Sequence, residues 1–278
     1  SGTHPFSHWS EQLITPKPRY DQLIAEMKDV ARSNLIFGMH VHVGIPNREE
    51  GLHIMNVARY FLPHLYALST NSPFWESRDT GFKSFRSKIF DKFPRTGIPP
   101  YFSSVAEYDK FVDVLIKTNC IDNGKKIWWD IRLHPFYPTV EFRVCDMVMT
   151  VDEVVCIAAI MQCIIAKLSK LHQKNQSFRS YRRILINENK WRAARYGMEA
   201  KLIDFGKEEE VPFTSLIQEL LEFIDDVVDE LGCRKEVSYV YQMLEQGSGA
   251  DRQLKVYEET KDLKAVANYV VEQTKKGL

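Results

Sequence analysis

Phe37-Gly38-Met39-His40-Val41-His42-Val43-Gly44 is the stretch that decides the fold class. Its period is two, as a strand requires, because successive side chains leave a pleated backbone on opposite faces. Phe37, Met39, Val41 and Val43 fall on one face, and His40 and His42 on the other, flanked by Gly38 and Gly44. Two later stretches repeat this design. Trp129, Ile131 and Leu133 alternate with Asp130, Arg132 and His134; Val140, Phe142 and Val144 alternate with Glu141 and Arg143. The connection Pro135-Phe136-Tyr137-Pro138 suits a hairpin and is too short for a helical crossover. The expectation is an α+β fold with a largely antiparallel sheet, one face of it apolar and ready for helices to cover.

Outward from the strands the period becomes helical. Tyr20, Leu23, Ile24, Met27 and Val30 predict a helix over 18–34, and the strand is expected to start at Leu35. Residues 51–69 read as a helix kinked at Pro63. Ser104 with Glu107 reads as a capping box for a helix ending near Asn119, and Ser215 with Gln218 as another for a helix over 215–231, with Gly232 past its end. Residues 151–171 form a strongly apolar helix, and 257–274 a polar-faced one. The stretch 71–102, rich in Ser, Pro, Gly and Thr, reads as a long loop of the kind that carries function. There is no internal repeat and no linker, so residues 1–278 read as one domain.

Composition narrows the class of function. Lys plus Arg and Asp plus Glu each number 37, and the absence of a basic excess argues against a general nucleic-acid binder. The longest apolar run, 154–166, is interrupted by Gln162 and too short to cross a bilayer. The five cysteines are odd in number and contain no CxxC pair, against a disulfide framework or a zinc knuckle. The expectation is a soluble cytoplasmic protein with neither nucleic acid nor membrane as partner.

Two histidines, two arginines and two carboxylates on one sheet face point to a site for a metal and an anion together. Arginine grips phosphate or carboxylate with paired hydrogen bonds, and His with Glu can hold a divalent cation. A magnesium nucleotide fits that inventory except in its shortage of carboxylates, since magnesium prefers oxygen and only Glu141 and Asp130 are on offer. The same residues also read as an ion-pair network on a solvated sheet. A His-x-His strand with a carboxylate is equally how some zinc amidohydrolase sites begin, although those barrels are parallel.

The chain resembles the YbdK-type carboxylate–amine ligases of the type 2 glutamate–cysteine ligase family, in the glutamine synthetase-like superfamily. The resemblance rests on Gly2-Thr3-His4-Pro5-Phe6, the strand at 37–44, Asn71-Ser72-Pro73-Phe74-Trp75, Asp79-Thr80-Gly81 and Ser84-Phe85-Arg86. It continues through 128–135, 139–146, 188–197 and Gly247-Ser248-Gly249-Ala250-Asp251-Arg252-Gln253. It implies a glutamine synthetase-like catalytic domain whose curved sheet forms a funnel where ATP and glutamate meet, with helices on the other face. By resemblance His40 and Glu141 are metal ligands for Mg2+. His42, Arg132 and Arg143 face the ATP phosphates, with Arg132 and Arg143 in the catalytic role. Arg86 would bind a substrate carboxylate, Asn71 and Ser72 would shape the pocket, and Asn189, Arg192 and Arg195 would close over it.

The implied reaction joins the side-chain carboxylate of glutamate to an amine, cysteine or another, through an acyl phosphate. Family members open with a strand carrying paired glutamates. Neither Glu49-Glu50 nor Glu208-Glu209-Glu210 has that spacing, and the chain is expected to start about a hundred residues into the family pattern. That leaves open a nucleotide-binding homologue without activity of its own. It also leaves open association, as a homo-oligomer or with a polypeptide supplying the missing N-terminal strand.

Overall fold

The computed structural model describes residues 1–276. Its central sheet runs Val41–Gly44, Thr139–Phe142, Ile131–Leu133 in spatial order, and both pairings are antiparallel. The hairpin across 135–138 is present, closed by the amide of His134 donating to the carbonyl of Thr139 at 3.0 Å. Small two-stranded ribbons surround this sheet: Phe74–Trp75 with Arg78–Asp79, and Lys201–Asp204 with Glu209–Pro212, both antiparallel. A parallel pairing joins Thr96–Gly97 to Trp128–Trp129. Most of the remaining chain is helical, giving the mixed, largely antiparallel α+β architecture that the alternation implied.

The apolar face is covered as the pattern requires. Ile131, Leu133, Val140 and Phe142 are buried in one core with Leu52 and Met55 of the helix Arg48–Ala58 and Ile157, Ile160 and Ile164 of the helix Val151–Gln173. Both helices pack directly on the sheet. Burial of such side chains contributes about 1.5–3 kcal/mol each relative to exposure, so this face holds the strands in place.

The long helix starts from a full capping box. Thr150 Oγ1 accepts from the amide of Glu153, whose carboxylate accepts from the amide of Thr150 at 3.0 Å. At 23 residues the helix is longer than the apolar run suggested, and its length and composition alone would let it cross a bilayer. Half of its most apolar window is instead packed inside the protein, so it serves as a core helix.

Several elements depart from expectation. Only Val41–Gly44 of the stretch from Leu35 is regular strand; Ile36 and Gly38 make isolated bridges to Thr3 and Asp146. Between the Val41–Phe142 and Gly38–Asp146 pairings the partner strand has one extra residue, a bulge that bends it. The helix over 18–34 breaks at Lys28, whose φ of 52° places it outside helical space, into Pro18–Met27 and Asp29–Arg32. Pro63 does not kink a helix but opens one, Leu62–Ser69, after a tight turn at Arg59–Phe61, because its missing N–H is harmless in a first turn. Ser104 does cap Val105–Lys117, but Glu107 reaches back to Ser103. The Ser215/Gln218 box does not form: the helix starts earlier, at Phe213, and Gln218 bonds Glu222 at 3.1 Å. The tail is two helices, Gly249–Thr260 and Leu263–Lys275, parted at left-handed Lys261. The long loop carries the Phe74–Trp75 ribbon and the short helix Arg86–Phe90.

Removing the long helix's cap tests this assembly. Thr150→Ala is expected to cost about 1 kcal/mol, read as a lower urea midpoint with unchanged slope.

Candidate active site

The sheet register assembles the site. His42 and Arg132 are both cross-strand partners of Glu141, so the three lie side by side in one row across the sheet. Arg132 Nε donates to Glu141 Oε2 at 2.7 Å and Arg143 Nη1 to Oε1 at 2.5 Å. His40 Nδ1 and His42 Nε2 stand 3.6 and 3.7 Å from Oε1. His42 also bonds Thr139 at 3.1 Å and packs edge-on against His134. The five side chains expected to converge do converge. Glu141 and Arg132 lie buried beneath, and the two imidazoles are the exposed rim.

The electrostatics follow from this layering. Burial alone would raise the Glu141 carboxyl, but Arg143 and Arg132 outweigh it and hold the group at about 2. His40 is pushed down to about 3, first by burial and then by Arg143, so its ring is neutral at physiological pH. Arg143 Nη1 lies 3.2 Å from His40 Nδ1. A guanidinium can only donate, so Nδ1 accepts and the ring proton is assigned to Nε2. Arg132 is fixed further by the carbonyls of Lys125, at 3.0 Å, and Ile127, and has little freedom to swing. Arg143 keeps a buried Nε with no partner, which an added anion would satisfy.

Arg86 sits behind this row. Its two terminal nitrogens donate to the carbonyls of Arg143 and Val144, both at 3.2 Å, and its buried Nε is unpartnered. A Cβ at position 38 would collide with that guanidinium, which is why a glycine stands beside the histidine pair. Asn71 and Ser72 are fully buried and do not line an open pocket. Ser72 Oγ and the Asn71 amide donate to Asp146 Oδ2, at 2.6 and 2.9 Å, and Ser84 Oγ donates to Oδ1 at 2.9 Å. Their part is to pin the loop that carries Arg86 to the strand after Arg143. Asn71 Oδ1 also accepts from Gln253 at 2.7 Å, drawing in the glycine-rich turn at 247–251.

The helix Arg183–Tyr196 places its expected residues unevenly. Asn189 spends its side chain on the backbone of Ile203, at 2.7 and 2.9 Å, and Arg192 bonds the Lys201 carbonyl and Glu210, so both anchor the Lys201–Pro212 ribbon. Arg195 lies over the Tyr196 ring. The residue of this helix that reaches the sheet is Lys190, which the motif reading passed over. It is buried, and its Nζ is 2.8 Å from Asp130 Oδ2. Burial opposes its charge, but Asp130 and Asp91 more than compensate and raise it. The readable signal was its place on the buried stripe Ile186, Asn189, Lys190, Ala193.

Comparison with known proteins gives this geometry its context. The model of the family described as glutamate–cysteine ligase family 2 matches residues 1–269. A protein from Solibacter usitatus named "putative glutamate–cysteine ligase 2" is 58% identical over 277 residues, covering 100% of this chain and 72% of its own length. Proteins of the same name from Chloroflexus aurantiacus and Sorangium cellulosum are 56% and 52% identical, with all of this chain matched to 71% and 74% of theirs.

The chain belongs to glutamate–cysteine ligase family 2.

Membership in that ligase family sets aside the zinc amidohydrolase, and so does the sheet. The strands bearing His42, Arg132 and Glu141 are antiparallel, not those of a parallel barrel. The donors present do not match the metal that the family resemblance implies. Glu141 carries a guanidinium on each oxygen, Asp130 is paired with Lys190, and no group of three metal-type side chains occurs among the described residues. With Nε2 of His40 protonated, the described face fits an anion and does not by itself make a magnesium site.

Acid should expose the Glu141 pairing. Its folded carboxyl is depressed from 4.5 to about 2, so its contribution is complete above the unfolded value and is lost as pH falls toward the folded one. Glu141→Gln is expected to cost roughly 3 kcal/mol at neutral pH, by stranding two guanidiniums, and to flatten the stability loss between about pH 4.5 and 2 in acid titrations followed by circular dichroism.

Proposed function

We propose that this family 2 protein is an ATP-dependent carboxylate–amine ligase that joins the side-chain carboxylate of glutamate to an amine, with cysteine as the acceptor. What carries the reading is the Arg132–Glu141–Arg143 cluster rimmed by His40 and His42. Two guanidiniums share one carboxylate, leaving a preorganised positive excess under a solvent-facing rim. Such a surface is matched to a triphosphate.

Amide formation at neutral pH needs an activated acyl group. In the proposed reaction a glutamate carboxylate oxygen attacks the terminal phosphorus of ATP and the bond to ADP breaks, giving an acyl phosphate. The amine then attacks the acyl carbon, phosphate leaves, and the amine proton passes to solvent. The chain's own part is binding and charge stabilisation: Arg143 and Arg132 face the phosphoryl oxygens, and neutral His40 offers Nε2–H as a donor. Arg86, its two terminal nitrogens held by backbone carbonyls, keeps a buried Nε as the donor left for a substrate carboxylate that reaches it. The magnesium that the family resemblance implies would offset charge on the phosphates, and the described residues do not by themselves hold it. A cytoplasmic location is part of the same proposal, because the reaction consumes ATP.

A second reading draws on the same residues. Because both Glu141 oxygens are already bonded, the chain could bind nucleotide without turning it over.

Coupled measurement of ADP release decides between them. Release that requires both glutamate and cysteine is expected, with Arg143→Lys lowering kcat roughly 100-fold in a folded protein, since a lysine cannot bridge two partners in a plane. Release indifferent to glutamate and every amine would sink the ligase, and calorimetric ATP binding with no release would establish the second reading.

A further inference from the structure

Arg143 faces two places at once. Besides meeting Glu141 it lines a cleft of about 370 Å³ between the helix Pro18–Met27 and the segment 122–128. That volume falls within the usual span of small-molecule sites, about 300–1,000 Å³. The rings of Tyr20, Phe90, Phe93 and Trp128 line it, with Trp128 set edge-on to Phe93 at 5.5 Å. Its acids, Glu26 and Asp122, are both engaged by Lys126, at 3.0 and 3.7 Å. Arg19, Lys125 and Arg143 remain as cations with no acid opposite them in the cleft. A flat aromatic body with an anionic end fits these walls.

Two further observations point to a ligand. Arg143 Nε is a buried donor without a partner, and Asn34 Oδ1, on another residue of the cleft, is a buried acceptor without one. Leaving such atoms unsatisfied costs free energy that a ligand carrying the complementary groups recovers. The helix forming the outer wall is also lightly held. No residue from Phe6 to Arg32 is buried, although Tyr20, Leu23 and Ile24 give that helix an apolar side. A wall that has not spent its apolar surface gains by closing on a flat guest.

We propose that this cleft takes the purine of the nucleotide whose phosphates lie against Arg143, and that Asn34 selects adenine; this rests on the ATP reading above. Adenine carries an exocyclic amino group, a donor that suits a lone carbonyl oxygen, whereas hypoxanthine carries an oxygen at that place and would leave Asn34 facing another acceptor. A free amino acid offers no ring for four aromatic side chains.

Calorimetry on this chain tests the assignment with ATP, inosine triphosphate, inorganic triphosphate and glutamate as separate probes. ATP is expected to bind about tenfold more tightly than inorganic triphosphate, the contribution of one stacked base. Tyr20→Ala, at a residue that is 38% exposed, should remove that advantage while leaving inorganic triphosphate binding unchanged. Asn34→Ala should erase the preference for ATP over inosine triphosphate. If inorganic triphosphate binds as tightly as ATP and Tyr20→Ala is silent, the cleft assignment falls and the nucleotide reading stands. If the unaltered chain binds neither, both fall. Loss of glutamate binding in Tyr20→Ala, with ATP unaffected, would give the cleft to the amino acid instead. A preference that survives Asn34→Ala would strip that residue of its role.

Discussion

A carboxylate shut away from water between two guanidiniums is the constraint around which this molecule is arranged. Glu141 is 2% exposed, and moving a carboxylate out of water costs several kcal/mol unless charge and hydrogen bonds are returned to it. Arg132 from one neighbouring strand and Arg143 from Glu141's own return them. The arrangement works only in one register, because a slip of one residue would turn Glu141 into the apolar core and bring Phe142 to the polar face. The buried ion pairs and the buried aliphatic layer therefore select the same alignment of three strands. Neither would do so with equal force alone.

A second buried carboxylate performs the corresponding task for the loop. Asp146 gathers Ser72, Ser84 and the Asn71 amide, and Tyr66 bonds Ser84 and Ser87 from the other side at 2.7 Å. What this fixes is the start of the helix Arg86–Phe90, and so the guanidinium that reaches the carbonyls of Arg143 and Val144. Arg86 and the Glu141 cluster thus meet the same stretch of chain, 139–146, a few residues apart, and are held by different acids. A side chain at position 38 would push that guanidinium from its place, because it crosses the backbone there.

How much of this was legible follows from what a period can tell. Alternation at 37–44, 129–134 and 139–145 assigns every side chain to a face, and those assignments hold for His40, His42, Arg132, Glu141 and Arg143. It does not say how long a partner remains in register, so the bulge before Gly38 and the break at Asp130 were hidden. Nor does it say what a polar side chain spends its bonds on. Asn71, Ser72 and Asn189 sit in motifs that resemble a ligase, yet their partners are carbonyls, amides and Asp146. Lys190 lay in one of those motifs and was overlooked because a basic helix end reads as surface. Its depth is decided by Asp130, 60 positions earlier in the chain. Thr150 and Glu153, by contrast, are a capping box that spacing alone could have revealed.

The balance of charge on this face bears on which ligand it meets first. Each oxygen of Glu141 already accepts a charge-assisted bond, and such bonds are among the stronger ones a carboxylate can make. A cation approaching Glu141 would have to displace at least one guanidinium, and Arg132 is tethered by backbone carbonyls against that movement. An anion faces the opposite situation. It adds acceptors where Arg143 Nε and Arg86 Nε have none, and it removes the excess of two guanidiniums over one carboxylate. A bound phosphate would also compete with Glu141 for the donors of Arg143. The buried ion pairs therefore hold in place the same donors that an incoming anion would engage.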